Sequence, residues 1–258
     1  MEKGIIWTEN VKFPEHNSTL LVDAGSYNAW IREACYVCED EAITKALNAT
    51  TVIETGEIPI GKFKFHVKSL PTEVKTFSLF WGNKIQRTAL RIRQGTKPGS
   101  VSFSDTVAIP MLVESKPNGD DRIWMSLTPM EVFTLRAGIK RAQGRVLVGG
   151  LGMGWLTLRI LEKKNVSHVT QIESNPDIAK FFGDPLVASF GSEKLTIVID
   201  DVWEHLKKVG PDTYDTIILD IWPSYGRARN DPNFKQLKLM HPRVWGWGDV
   251  KVHRDDFN

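Results

Sequence analysis

Long apolar runs are missing from this chain. None approaches the roughly 20 residues a helix needs to cross a bilayer, and the opening Met1-Glu2-Lys3-Gly4 has no apolar stretch of the signal-peptide kind. The expectation is a cytoplasmic protein with no membrane partner. An excess of charge is missing too: the formal net charge of +2 over 258 residues gives no global field for nucleic acid or an anionic surface. Cysteine is scarce. Cys35 and Cys38 stand in C-x-x-C spacing, but a redox role needs a βαβ context around them. Glu39, Asp40 and Glu41 follow closely and would raise a thiol pKa. A zinc site needs two more ligands, and no second C-x-x-C or H-x-x-x-H exists, so two ordinary reduced thiols are the simpler reading. Internal repeats and low-complexity stretches are absent as well. What is present is the make-up of a soluble globular protein, 41% hydrophobic and 25% charged, long enough for one large domain or two modest ones. Nine tryptophans are many for this length, and serve either as core anchors or as walls of a substrate pocket.

The texture changes near residue 125, which divides the chain into a β-rich domain over 1–125 and a second domain over 126–258. Before the change, short β-type runs (19–22, 51–54, 62–67, 76–80, 88–92, 101–103, 107–112) alternate with breaks. Those breaks are Thr55-Gly56, Trp81-Gly82-Asn83, Lys97-Pro98-Gly99 and Lys116-Pro117-Asn118-Gly119-Asp120. Two-residue alternation over 62–67 predicts a half-buried antiparallel strand, and one helix is expected over 40–47. Residues 84–97 carry Lys84, Arg87, Arg91, Arg93 and Lys97 without aromatics for base stacking, which favours a solvated strand face over a nucleic-acid patch.

After residue 125, Thr128-Pro129-Met130-Glu131 predicts a capping box opening a helix over 129–142. Strands over 145–148, 168–172, 195–199 and 216–219 then alternate with helices over 155–163, 176–182 and 202–208. That order predicts an α/β fold, a Rossmann-like doubly wound and mostly parallel sheet. Trp245-Gly246-Trp247-Gly248 reads as a turn, and 250–253 as one further short strand. Only these segments are left to extend the sheet, so it is expected to end after strand four or five. An uncovered sheet edge then calls for a homo-oligomer or for cover by the β-rich half.

Four positions fall at the carboxyl ends of the predicted strands. The first is Val148-Gly149-Gly150-Leu151-Gly152-Met153-Gly154-Trp155, a strand that runs over glycines into a helix. Such turns lie where nucleotides bind. The dinucleotide pattern G-x-G-x-x-G wants glycine where Trp155 stands. The match is G-x-G-x-G, made by Gly150, Gly152 and Gly154, which favours an adenosyl sulfonium over NAD, with a purely structural glycine turn as the third reading. The second is Glu173, which can accept both hydroxyls of a ribose or be a solvated loop residue. The third is Asp200-Asp201. Asp201 can accept from an adenine amine, cap the helix that follows, or do both. The fourth is Asp220, followed by Ile221-Trp222-Pro223-Ser224-Tyr225-Gly226. Asp220 can hold an ammonium group, and Trp222 and Tyr225 can pack a cation or planar acceptor. Core packing or loop anchoring is the other reading of both rings.

Residues 126–226, about 100 of 258, resemble the class I S-adenosylmethionine-dependent methyltransferase fold. Within it they are similar to the spermidine synthase branch, through VTQIESNPDI, LTIVIDDVWEHL and YDTIILDIWPSYG in that order. The resemblance implies that Gly150, Gly152 and Gly154 wrap the methionine part, Glu173 takes the ribose, and Asp201 meets the adenine amine. Two departures stand out. Aminopropyltransferases carry an aspartate in the glycine turn, here Met153, and another soon after the fourth-strand aspartate, here Trp222-Pro223. Without those carboxylates the general base for an attacking amine is gone. The expectation is therefore S-adenosylmethionine-dependent methyl transfer to a small-molecule or exposed nucleophile near Asp220, Trp222 and Tyr225. Aminopropyl transfer from decarboxylated S-adenosylmethionine is the enzymatic rival, and a non-catalytic protein that keeps the fold for assembly or regulation is the other. A nucleic-acid methyltransferase is disfavoured, because Asp220-Ile221-Trp222-Pro223 is not a D-P-P-Y loop.

Overall fold

A computed structural model describes residues 4–8, 10–15, 17–34, 41–48, 55–70, 76–78 and 99–249. Cys35, Cys38, the runs 51–54 and 88–92, the basic stretch 84–97 and the strand expected over 250–253 lie outside the described residues. Chain contacts divide the fold into two compact units, the first reaching Thr134 and the second beginning at Leu135. Among the described residues no helix is long and apolar enough to cross a membrane.

The first unit holds β1 (Thr19–Val22), α1 (Ala24–Ala34), α2 (Glu41–Asn48) and β2 (Thr55–Ile60). β3 (Phe63–Leu70), β4 (Thr76–Ser78), β5 (Ser100–Phe103), β6 (Val107–Glu114) and β7 (Arg122–Ser126) follow. Four of the strands form an antiparallel sheet in the order β2-β3-β6-β7, and three form a smaller sheet, β1-β5-β4, in which β1 and β5 run parallel. The alternation expected around residue 63 is real, with Phe63, Phe65 and Val67 buried on one face. The Thr55-Gly56 break is not: both residues open β2, where Gly56 pairs with Val67. β2 is an edge strand, so Pro59 costs no ladder bond, and the chain turns later, at Gly61. Helix α1 is unforeseen because Gly25, Ser26 and Asn28 are poor helix formers. It forms because Tyr27, Trp30, Ile31 and Ala34 bury one face at helical spacing. The Asp23 carboxylate caps its start, accepting from the Ser26 amide at 2.7 Å.

Helix α3 (Pro129–Arg141) spans the division between the units. Its Glu131 closes a cap mainly on Ser126: the carboxylate accepts from the Ser126 amide at 2.9 Å and from the Ser126 hydroxyl, and the Thr128 hydroxyl donates to it at a longer 3.5 Å. The second unit then alternates β8 (Gly144–Gly149), α4 (Trp155–Leu161) and β9 (Val166–Glu173). A short α5 (Pro176–Ile178) passes through a π turn at Ala179–Gly183 into α6 (Asp184–Phe190), where one helix was expected. β10 (Leu195–Ile199), α7 (Val202–Val209), β11 (Thr216–Leu219), α8 (Pro232–Met240) and β12 (Val244–Gly246) complete it. The five strands are all parallel, in the order β10-β9-β8-β11-β12.

This is the expected Rossmann-like sheet, and it stops at five strands among the described residues. The central strands are continuous apolar runs because both of their faces are covered, with Val146, Leu147, Val148 and Thr216–Leu219 almost wholly buried. The turn expected over 245–248 begins two residues late. Val244, Trp245 and Gly246 pair with Ile217, Ile218 and Leu219, and only Trp247 and Gly248 turn. Trp245 is drawn into the sheet by a vacancy on α3, where a Cβ on Gly138 would lie 2.7 Å from the indole. That contact also explains a glycine inside a helix, at a cost of about 1 kcal/mol relative to alanine.

Candidate functional site

The strand order reverses at β8. From β8 the chain steps to β9 and β10 on one side, and returns to place β11 and β12 on the other. The carboxyl ends of β8 and β11 therefore flank a topological switch point, the position where open α/β sheets receive ligands. The glycine turn leaves β8 and Asp220 leaves β11. They meet backbone to backbone: the Asp220 amide donates to the Gly149 carbonyl at 2.8 Å. A Cβ on Gly150 would lie 2.3 Å from the Asp220 carbonyl oxygen, and Gly150 has φ +84°, so only glycine fits. Gly152 and Gly154 also have positive φ, and Gly154 starts α4 without a capping side chain. The side chains between them turn inward, with Leu151, Met153 and Trp155 all buried. Trp155, only 1% exposed, is a core anchor.

Glu173 ends β9 beside this turn and is 9% exposed. Each of its oxygens accepts one backbone amide at 2.9 Å, Oε2 from Leu151 and Oε1 from Asn175. A carboxylate offers about four lone-pair positions, so two remain for a ligand. Its first role is thus structural: it ties the glycine turn to the neighbouring strand end, which the sequence alone did not reveal. Asp200 and Asp201 end β10. The Asp200 carboxylate pairs with Lys208 at 2.7 Å, and that ammonium holds its pKa below the ordinary value. Asp201 caps α7, its Oδ1 accepting from the Trp203 and Glu204 amides at 2.8 and 3.1 Å. The capping alternative is therefore realised, and Asp201 stays exposed to solvent.

Asp220 differs from these three. Its carboxylate has no hydrogen-bond partner among the described residues, and desolvation alone pushes its pKa up to about 7. The residue keeps part of its surface in solvent, so the carboxyl is recessed but reachable. Trp222 and Tyr225 are engaged elsewhere. The Trp222 indole donates to Asp231 Oδ2 at 3.0 Å and packs edge-on against Phe234, with centroids 5.2 Å apart. Tyr225 packs edge-on against Trp247 at 5.3 Å. Gly248 closes on Gly226 so tightly that a Cβ on Gly248 would lie 2.1 Å from the Gly226 nitrogen. Loop anchoring thus accounts for both rings as they stand. Of the residues that hold this loop, Phe234 carries no motif, whereas Asp231 before Pro232 is a helix-start signal and caps α8, and Trp247 lies in the expected turn. Among the described residues no group of three His, Cys, Asp or Glu side chains could hold a metal.

No protein-family model and no curated protein matches the chain. Solved structures similar to it include a spermidine synthase from Thermotoga maritima, at 16% identity and TM-score 0.34, over 51% of this chain and 49% of that one. A spermidine synthase in complex with the transition-state analogue AdoDATO is similar at 17% identity and TM-score 0.36, over 51% and 50%. Human methyltransferase-like protein 13 in complex with SAH is similar at 20% identity and TM-score 0.30, over 42% and 56%. The chain thus matches about half the length of each.

Proposed function

We propose that the second unit binds S-adenosylmethionine and that the protein transfers its methyl group to a small or exposed nucleophile. The observation that carries this reading is the switch point itself, where a glycine turn with its side chains directed inward, a strand-end carboxylate and a recessed carboxyl without a partner among the described residues share one sheet edge. The residues fit the nucleoside. Glu173 keeps two lone-pair positions for the ribose hydroxyls, Gly150 lets the turn close directly on the Asp220 backbone, and Asp201 at the end of β10 is exposed for the adenine amine. Asp220, deprotonated above about pH 7, offers an anion to an ammonium group of the nucleoside or of the acceptor. When bound, S-adenosylmethionine supplies an electrophilic methyl on a sulfonium sulfur. The chain's own part is alignment, which can account for much of such a reaction. The buried Met153 leaves no carboxylate in the turn for a polycationic acceptor, which weighs against aminopropyl transfer.

One observation favours a second reading. Trp222 and Tyr225 are both spent on packing, as expected if the protein retains the nucleoside or the fold for assembly without acceptor chemistry. Thermal shift with S-adenosylmethionine, its decarboxylated form, its demethylated product and methylthioadenosine separates these cases. A ligand at a hundred times its Kd adds about 2.7 kcal/mol of stability. No shift with any of the four would overturn nucleoside binding, and a shift without methyl transfer to any acceptor would favour the second reading. A homo-oligomer over the sheet edge belongs to the same proposal. Ile199 on edge strand β10 is 58% exposed, and Ile199→Lys should lower the sedimentation mass if a second copy covers it.

A further inference from the structure

Beneath the glycine turn two polar side chains are sealed in an apolar core. Thr157, in the first turn of α4, and Gln171, near the end of β9, are both 0% exposed. Burying a hydroxyl and an amide is costly unless each finds a partner. These find each other: the Thr157 hydroxyl donates to Gln171 Oε1 at 2.5 Å. Gln171 Nε2 then donates to the Ile172 carbonyl at 3.0 Å. The same carbonyl accepts the amide of Gly150 at 2.9 Å, and the next residue is Glu173, which holds the Leu151 amide. A continuous path of bonds therefore runs from the helix, through the strand, to both amides at the head of the turn.

Stability alone does not call for this pair. A well-packed apolar pair of similar volume is often as stable as a buried polar one, whereas a satisfied polar pair admits only one register. We propose that Thr157 and Gln171 are positioning residues that hold the glycine turn and Glu173 in the arrangement that receives the nucleoside. Their specificity is for geometry. The hydroxyl fixes the rotation of α4 on β9, and the amide fixes the carbonyl on which Gly150 hangs. The ligand named rests on the function proposed above, but the positioning role does not.

The test uses the whole chain with Thr157→Val, Gln171→Met, the double variant and the conservative Thr157→Ser. Hydrogen exchange of the amides of 150–154 is followed beside the thermal midpoint and the Kd for S-adenosylmethionine. Expected is at least tenfold faster exchange in 150–154 for the double variant, with β8 and β11 amides and the midpoint close to wild type. The Kd should weaken at least tenfold, and Thr157→Ser should restore both. Unchanged exchange in the turn would overturn the proposal. So would exchange that rises equally across the sheet with a fallen midpoint, since that marks a merely structural pair. If the double variant does not fold, Thr157→Val alone decides by the same comparison. A wild-type protein that binds no nucleoside would sink the functional reading, while the exchange arm would still judge the positioning role.

Discussion

Asp220→Asn should make this protein more stable at neutral and alkaline pH, and the gain should vanish in acid. The carboxyl has an ordinary pKa of 3.8 in the unfolded chain and one of about 7 in the fold, through desolvation alone. The folded state therefore keeps a proton that the unfolded state has released. Stability from this group is complete below about pH 4, declines as pH rises, and is lost once pH passes 7. A rise of about three pKa units at about 1.4 kcal/mol each sets a ceiling of about 4 kcal/mol. Partial solvent contact trims it, and about 2–3 kcal/mol at pH 8 is a fair expectation. For a protein of this size that corresponds to about 5–10 °C in thermal midpoint. The assay is a series of thermal melts of both proteins from pH 4 to pH 8.5, with the difference plotted against pH. A difference that is flat with pH, or an asparagine variant less stable at pH 8, would refute the desolvation argument. The same titration acts on binding in the opposite sense. Below pH 7 the carboxyl becomes neutral, so affinity for a ligand held through its ammonium group should fall with pH, and Asp220→Asn should abolish that dependence.

Glu173→Gln keeps the shape but leaves one carbonyl oxygen where two carboxylate oxygens each hold an amide. It should cost about 1.5–3 kcal/mol by denaturant melt and remove nucleoside binding measured by calorimetry. Gly150→Ala places a Cβ against the Asp220 carbonyl at positive φ, and should destabilise by at least about 2 kcal/mol in the same melt. His205, whose ring nitrogen meets the Tyr214 hydroxyl at 2.7 Å, has its pKa lowered by burial. Its contribution is present above the ordinary histidine pKa of about 6.5 and is lost as pH falls below it, a loss that His205→Gln should flatten. Trp222→Phe removes the donor to Asp231 and should speed proteolysis of the 221–231 loop while changing the unfolding free energy by no more than about 1 kcal/mol.

The second unit was legible because its strands announce themselves. Val146-Leu147-Val148 running into glycines and Thr216–Leu219 running into Asp220 have no other economical reading, and their order fixes the sheet. What the sequence hid are relations between distant residues. Nothing local shows that Glu173 spends its carboxylate on the amide of Leu151, or that the hydroxyl of Thr157 faces Gln171. Trp245 looked like part of a turn because two glycines flank its neighbour, and only Gly138, far away on α3, explains why it enters the sheet. In the first unit α1 was missed because its polar residues outweigh its propensity, although Asp23 and the 27, 30, 31, 34 spacing were signals enough. The strand-end positions of the candidate residues were legible, and the anchoring of Trp222 and Tyr225 was not, since Phe234 and Trp247 reach them through tertiary packing.

The contact of Gly226 with Gly248 has a mechanical corollary. Two peptide planes pressed together with no side chain between them leave no cushion, so the stretch after Asp220 and the stretch after β12 travel as a single piece. A bulky residue introduced at Gly248, some twenty positions beyond Gly226 in the chain, would pry open this seam. The rim beside Asp220 would then be retuned from the end of the neighbouring strand, with none of its own residues altered.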